Sequence, residues 1–276
     1  MIYYQFEIGL SPFEPWSEIL TAHLGEISFE GFYEKEGLLY AFISKENFLK
    51  TEFNSIIDLI NETVQVEVSF KEIPHQNWNA AWESNFEPVF IEDELAIIAP
   101  FHSIENNFKR TIVIEPKMSF GTGHHQTTYL MCKAILNTPL NGKRVLDMGS
   151  GTGVLAILCE MEGSSDVTAI DIEPWSVENC IKNALENKCN RIESLLGDVD
   201  LIQSRSFDLI FANINKNILL SHMAQYVKSL NQNGLLYLSG FFNSDSKDIR
   251  QVAESLQLQF VMKEELESWS MLVFKK

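Results

Sequence analysis

The sequence has few cysteines, few basic residues and no long apolar run. No stretch approaches the roughly 18 consecutive apolar residues of a membrane span, so no membrane association is expected. Its four cysteines show no CxxC spacing, which argues against a disulfide framework and against a zinc site. The first ten residues, Met1 to Leu10, lack Lys and Arg and contain Glu7, which is a poor signal peptide. We therefore expect a cytoplasmic protein with reduced thiols and no metal.

Positive charge is scarce and unevenly placed. The chain has 21 Lys and Arg against 38 Asp and Glu, a net charge of −17. The first 76 residues contain 4 Lys or Arg against 13 Asp or Glu, so they hold more than half of the net charge. Such a surface repels a phosphate backbone and attracts basic partners. We expect a separate N-terminal unit with a basic protein partner and no direct nucleic-acid contact.

Residues 1–74 alternate strands and helices in the order β-α-β-β-α-β, which predicts a small α+β ferredoxin-like domain. Ser11 and Pro12 are expected to open the first helix, which would run to about Leu24. The second helix should bury one apolar face, made of Phe48, Leu49, Phe53, Ile56, Ile57 and Ile60. RNA-recognition domains share this order, but the acidic charge and the strand sequence GLLYAFIS disfavour RNA binding.

Two further regions follow the N-terminal domain. Residues 75–90 form a joint, in which Trp78, Trp82 and Phe86 would share one face of a helix. Residues 91–276 form the second domain, where short strands and helices alternate from Lys143 onward. This alternation predicts an α/β, doubly wound, mostly parallel sheet of Rossmann-like topology. The last two strands should form a hairpin because no helix fits between them.

The segment VLDMGSGTG, residues 145–153, joins a predicted strand to a predicted helix. Its glycines, Gly149 and Gly151 among them, let a ligand approach the backbone without meeting a Cβ atom. Asp147 would repel the pyrophosphate that a GxGxxG turn holds, but it could attract an ammonium group through water or the backbone. S-adenosylmethionine (AdoMet), which carries an ammonium, a sulfonium and one carboxylate, therefore suits the turn better than a dinucleotide.

Three polar side chains end the next three predicted strands. Asp171 would accept both ribose hydroxyls, and Asp198 would reach the adenine amino group. Asn213, which ends the fourth strand, would lie beside the transferred methyl and hold an amine nucleophile there. We predict that Asn213 is catalytic as well as cofactor-binding.

The segment MSFGTGHHQTT, residues 118–128, precedes the nucleotide-binding region. We expect it to be a loop over the cofactor that brings Phe120, Gly121 and Thr122 to the site. Either Thr127 or Thr128 would bond the methionine end. The neighbouring His124 and His125 have no carboxylate or cysteine at ligand spacing, so no metal site is predicted.

The combination of FGTGHHQTT, VLDMGSGTGVLAI, AIDIEP and FANI resembles the bacterial ribosomal protein L11 methyltransferases. NWNAAWESNFEPV and GLLYLSGFF extend the resemblance over about residues 75–276. It implies AdoMet-dependent methylation of Lys side chains and of the N-terminal amine of that basic protein, with the N-terminal domain capturing the substrate. Nothing in the sequence demands more than a monomer, so we expect one. The cofactor contacts implied by the resemblance fall on Thr128, Gly149, Asp171 and Asn213.

Other functions stay open at this stage. The chain could be an AdoMet enzyme acting on another protein or a small amine, or a non-catalytic AdoMet-binding ribosome-assembly factor. Asn215 and Lys216 stand where family members often have Leu or Tyr. They also replace the Pro-Pro-Tyr of glutamine methyltransferases, which disfavours that class. A dehydrogenase fits the glycine spacing and Asp147 poorly.

Overall fold

The computed structural model describes residues 3–73, 86–104, 108–116 and 119–276. The chain divides into two compact units, Met1–Asn85 and Phe86–Lys276. The predicted joint helix lies outside the described residues at Trp78 and Trp82, and only Phe86 of its aromatic stripe is described.

The first unit is a four-stranded antiparallel sheet with two helices, which confirms the predicted ferredoxin-like order. The elements are β1 (Tyr3–Ser11), α1 (Trp16–Glu26), β2 (Gly31–Lys35), β3 (Leu38–Ser44), α2 (Lys50–Asn61) and β4 (Gln65–Ile73). The strand order is β2-β3-β1-β4. Alternation puts one side of each strand into an aromatic core, where the centroid of the Phe6 ring lies 4.5 Å from that of the Phe53 ring.

Two details of this unit differ from expectation. Helix α1 begins at Trp16 and not near Ser11. The reason is that Glu14 precedes Pro15, and the residue before a proline disfavours helical backbone. Leu49 is the residue before α2, and it is 54% exposed although it was expected on the buried face. Its backbone is extended, so helical periodicity does not apply to it.

The second unit contains the predicted doubly wound sheet. The elements are α3 (Gln126–Leu136), β8 (Arg144–Met148), α4 (Val154–Met161), β9 (Asp166–Asp171), α5 (Pro174–Glu186), β10 (Ile192–Leu196), β11 (Phe207–Asn213), α6 (Lys216–Ser229), β12 (Leu230–Phe242), α7 (Ser246–Ser255), β13 (Gln259–Leu266) and β14 (Trp269–Lys275). The strand order is β10-β9-β8-β11-β12-β14-β13, with β8 to β12 parallel and the terminal hairpin antiparallel.

A second, three-stranded sheet precedes α3. It is formed by β5 (Val89–Ile91), β6 (Leu95–Ile98) and β7 (Arg110–Val113) in the order β5-β6-β7. The sequence did not predict it because strands of three or four residues are too short to show a period.

Both faces of the large sheet are covered by helices. Residues of α3, α4 and α5 join one buried cluster, and residues of α6 and α7 join the other. Strands β9 and β10 lie on one side of β8, and β11 lies on the other side. The strand order therefore reverses between β8 and β11. Folds of this type bind ligands at the carboxyl end of such a reversal.

No helix in the described part of the chain is long and apolar enough to cross a membrane.

Candidate active site

A cavity of about 440 Å³ opens at the carboxyl ends of β8 to β11. Six of the residues predicted from sequence line it: Phe120, Gly149, Gly151, Asp171, Asp198 and Asn213. The structure therefore brings the ends of four consecutive strands to one space. Thr128, Asp147, Gly121 and Thr122 do not line this cavity.

The turn after β8 has room for glycine only. Gly149 has a φ of +77°, and a Cβ on it would lie 2.2 Å from Cγ2 of Ile214. A Cβ on Gly151 would lie 2.2 Å from the carbonyl oxygen of Phe120. The turn thus runs directly against the segment after β11 and against the loop before α3.

Asp171 ties this turn to the end of β9. Its Oδ2 accepts from the backbone N–H of Gly151 at 2.8 Å, and its Oδ1 accepts from that of Glu173 at 3.0 Å. Each carboxylate oxygen has a further lone pair. The side chain can therefore still accept two ligand hydroxyls from the cavity wall.

Asp147 lies buried beneath the turn and outside the cavity wall. Its Oδ2 accepts from the backbone N–H of Ala156 at 3.1 Å, while its Oδ1 has no partner among the described residues. Burial raises the pKa of Asp147 to about 7; the bond from Ala156 opposes the shift and nearby Asp171 adds to it. A positive charge bound at the turn would favour its ionised form.

The loop before α3 lies against the glycine turn. The backbone N–H of Thr152 donates to the carbonyl of Phe120 at 2.9 Å, and the Thr152 hydroxyl donates to that of Gly121 at 2.6 Å. Thr122 contacts His124, with Oγ1 and Nδ1 3.1 Å apart. Phe120 is the residue of this loop that reaches the cavity, and its ring is largely exposed.

A second cavity of about 240 Å³ adjoins the first. Both cavities share the same four lining residues: Phe120, Asn213, Ile214 and Asn215. His125, Thr127, Gly240 and Trp269 line only the second. The arrangement offers one space for a nucleoside and a smaller one beside it for a second molecule.

Asn213 stands between the two cavities. Its Nδ2 donates to the hydroxyl of buried Thr128 at 3.5 Å, whereas its Oδ1 is buried without a partner among the described residues. A buried acceptor left unpaired costs about 1–3 kcal/mol, and a ligand donor that reached it would recover that free energy. Thr128 itself lines neither cavity.

Aromatic rings enclose the second cavity. The imidazole of His125 lies 4.5 Å from Trp269 and 5.1 Å from Phe120, measured between ring centroids. Nδ1 of His125 is 2.8 Å from Oγ1 of Thr127, and burial lowers the pKa of His125. Asn213 and these rings give the second cavity a polar wall beside an aromatic one, which suits an alkyl amine.

Sequence reasoning missed Trp269, Gly240 and His222. Gly240 has a φ of +94°, and a Cβ there would lie 2.4 Å from the carbonyl oxygen of Ile214. GLLYLSGFF contains this glycine, so a glycine within a strand was a usable signal of close backbone approach. Trp269 and His222 carried no local signal, because one follows the terminal hairpin turn and the other lies within α6.

Comparison with known proteins supports one family. The model of the family described as ribosomal protein L11 methyltransferase (PrmA) matches residues 22–276. A ribosomal protein L11 methyltransferase of Bacteroides fragilis is 40% identical and covers 99% of both chains. That of Porphyromonas gingivalis is 40% identical over 99% of this chain and 97% of its own.

The chain belongs to the ribosomal protein L11 methyltransferase family.

Solved structures agree with this assignment. The crystal structure of a ribosomal protein L11 methylase from Lactobacillus delbrueckii subsp. bulgaricus superposes with a TM-score of 0.65 and 29% identity, covering 68% of this chain and 98% of that one. A methyltransferase from Pyrococcus furiosus, 18% identical, has a TM-score of 0.51 over 60% of this chain and 89% of its own, and shares the fold. This member of the L11 methyltransferase family therefore combines the fold of its solved relative with two adjoining cavities.

Proposed function

We propose that this protein transfers methyl groups from AdoMet to amino groups of ribosomal protein L11, at Lys side chains and at the N-terminal amine. The observation that carries the proposal is the position of Asn213, which ends β11 and lines both cavities. A polar residue in that position can contact both the cofactor and the substrate amine.

The residues at the larger cavity fit AdoMet. Gly149 and Gly151 both line it, in a turn packed so closely against Ile214 and Phe120 that neither glycine has room for a Cβ. Asp171 offers acceptors for the ribose, and Asp198 offers one for the base. The unpartnered Oδ1 of Asp147 beneath the turn favours a ligand with a positive end. A pyrophosphate would be repelled by the same carboxylates.

When bound, AdoMet supplies a methyl group that its sulfonium makes reactive toward an amine. The protein's own contribution is alignment, which is worth up to about 7–11 kcal/mol in favourable cases. Asn213 Oδ1 accepts a hydrogen bond from the substrate nitrogen and holds it at the opening between the cavities. The absence of a Cβ at Gly240 lets the backbone of Ile214, which lines both cavities, approach closely.

The substrate amine must lose a proton before it can react. An ordinary lysine has a pKa of about 10.4, but an apolar environment lowers the pKa of an amine. The rings of Phe120 and Trp269 line the second cavity and supply apolar surface there. The amine then sheds its proton to solvent as it enters, and Asn213 retains the neutral nitrogen.

The N-terminal unit is the element that we assign to substrate capture. A surface cleft of about 410 Å³ lies between α1 and β2 and includes the exposed acids Glu18 and Glu34 beside Tyr33. Carboxylates and an aromatic ring together suit a Lys or Arg side chain. We propose a monomer acting in the cytoplasm, with a basic protein surface and not a nucleic acid at this unit.

The test is mass spectrometry of intact, unmodified ribosomal protein L11 after incubation with this protein and AdoMet. Mass gains in steps of about 14 Da, one methyl each, on peptides that contain Lys or the N-terminus are expected. Asn213→Ala should remove the gains, whereas the exposed neighbour Asn217→Ala should keep them. If AdoMet binds but wild-type protein adds no methyl groups, the substrate assignment is wrong.

A further inference from the structure

Asp198 meets a histidine at the far wall of the larger cavity. Nε2 of His222 lies 3.4 Å from Oδ1 of Asp198, and both residues line the cavity. His222 projects from α6, whose residues pack under the sheet, and only 9% of its side chain is exposed. Through this contact, the Asp198 carboxylate at the cavity wall meets a largely buried side chain of α6.

A third residue fixes the histidine from behind. Nδ1 of His222 is 3.3 Å from the hydroxyl of Tyr226, one helical turn later and fully buried. Burial, with the charge of Asp198 adding to it, raises the pKa of Tyr226 far above the ordinary value, so its hydroxyl keeps its proton. Because a carboxylate only accepts, a hydrogen on Nε2 would face Asp198, and Nδ1 would then accept from the Tyr226 hydroxyl.

These contacts leave one oxygen of Asp198 for a ligand. Oδ1 takes both the His222 contact and the backbone N–H of Val199, which donates at 2.7 Å. Two contacts at one oxygen restrict rotation of the carboxylate and favour one orientation of Oδ2. Ile172, Trp175 and Ile218 line the same cavity and offer apolar surface to a flat ring.

We propose that His222, supported by Tyr226, is a positioning residue that orients Asp198 so that the cavity selects a base with an exocyclic amino group. The inference rests on the proposed function, because it takes the larger cavity as the nucleoside site. His222 does not touch the reacting atoms. Its effect is on which nucleoside binds and how tightly.

The experiment is calorimetric titration of the full-length protein with two ligands. One is S-adenosylhomocysteine, and the other is its 6-deamino analogue, in which purine replaces adenine. The wild type should prefer the adenine compound by about tenfold, the value of one good hydrogen bond to a charged group. His222→Leu, which keeps bulk but removes the donor, should reduce this preference to about twofold or less.

Two further variants separate positioning from packing. His222→Gln retains a donor and should recover part of the preference, and Gln225→Ala on the same helix should leave it at the wild-type value. The ratio of the two dissociation constants is measured on one protein sample, so a general loss of stability does not change it. A His222→Leu protein that binds both ligands more weakly but with the wild-type ratio would overturn the positioning role.

The failure of the proposed function would look different. If the wild type binds neither ligand, the nucleoside site itself is wrong and this inference falls with it. If the wild type binds both ligands equally, the cavity holds a nucleoside but Asp198 does not read the amino group. In that case only the inference about His222 is overturned.

Discussion

The two units of this protein bury different kinds of residue. Among the described residues of the first unit, the buried polar side chains are Ser17 and Ser44, beside a core made mainly of Leu, Phe and Ile. The second unit buries Asp147, Glu160 and several Asn, Thr and Ser. Burying a polar group costs free energy unless it is bonded. The second unit therefore satisfies several of its buried polar groups with bonds, as Glu160 does by accepting from the backbone N–H groups of Asn190 and Arg191, whereas the first unit carries its acidic groups on the exterior.

The largest effect should come from Asn213→Ala. Removing the carbonyl that stands between the cavities leaves the amine unaligned, and misplacing a reacting group costs about 100-fold in rate. AdoMet affinity should change by less than about threefold, since the glycine turn and Asp171 remain. Single-turnover methylation and calorimetric binding measure the two quantities. Unchanged turnover would refute the role of Asn213.

The next effect concerns the glycine turn. In Gly151→Ala the new Cβ meets the carbonyl oxygen of Phe120 at 2.2 Å, so either the turn or the loop must move. We expect AdoMet affinity to fall at least about tenfold. Gly142→Ala is a matched control, because Gly142 also has positive φ (+72°) but no atom within 4 Å of its Cβ. Equal losses in both variants would show that backbone strain, and not the clash, is responsible.

Reversing two charges in the first unit should change the rate of substrate methylation but not AdoMet binding. Glu18→Lys combined with Glu34→Lys alters the acidic cleft and should slow methylation of a basic protein about tenfold at low salt, because rim charges steer association. AdoMet affinity should be unchanged. Glu52→Lys combined with Asp58→Lys gives the same net charge from exposed positions on α2. If both pairs slow methylation equally, only overall charge matters.

The smallest effect is a pH dependence of stability without ligand. Asp147 has a folded pKa of about 7, against about 3.9 for an unfolded chain. Between these values unfolding releases a proton, so wild-type stability falls as pH rises from about 4 to 7. Asp147→Asn removes this loss. Its melting temperature relative to wild type should be higher at pH 7.5 than at pH 4.5, by about 2–4 °C for each kcal/mol.

A constant difference between the two proteins across that pH range would show that Asp147 does not titrate there. Calorimetry of both proteins without AdoMet distinguishes the outcomes.

Most helices and strands of both units followed from periodicity in the sequence. The alternating strands of the first unit and the βα repeats from Arg144 onward match the structure to within a few residues. The exceptions have local causes: Pro15 delays α1, and the three short strands before α3 show no period. Periodicity reports burial on one face, and very short strands contain too few residues to express it.

The sequence by itself determined which polar residues end the strands around the larger cavity. Parallel βα units bring their carboxyl ends to one edge, so Gly149, Asp171, Asp198 and Asn213 had to meet there. Only the tertiary structure decided that Asp147 lies beneath the turn and that Trp269 and His222 complete the two cavities. Those positions depend on how the terminal hairpin and α6 pack against the sheet, and spacing along the chain does not encode that packing.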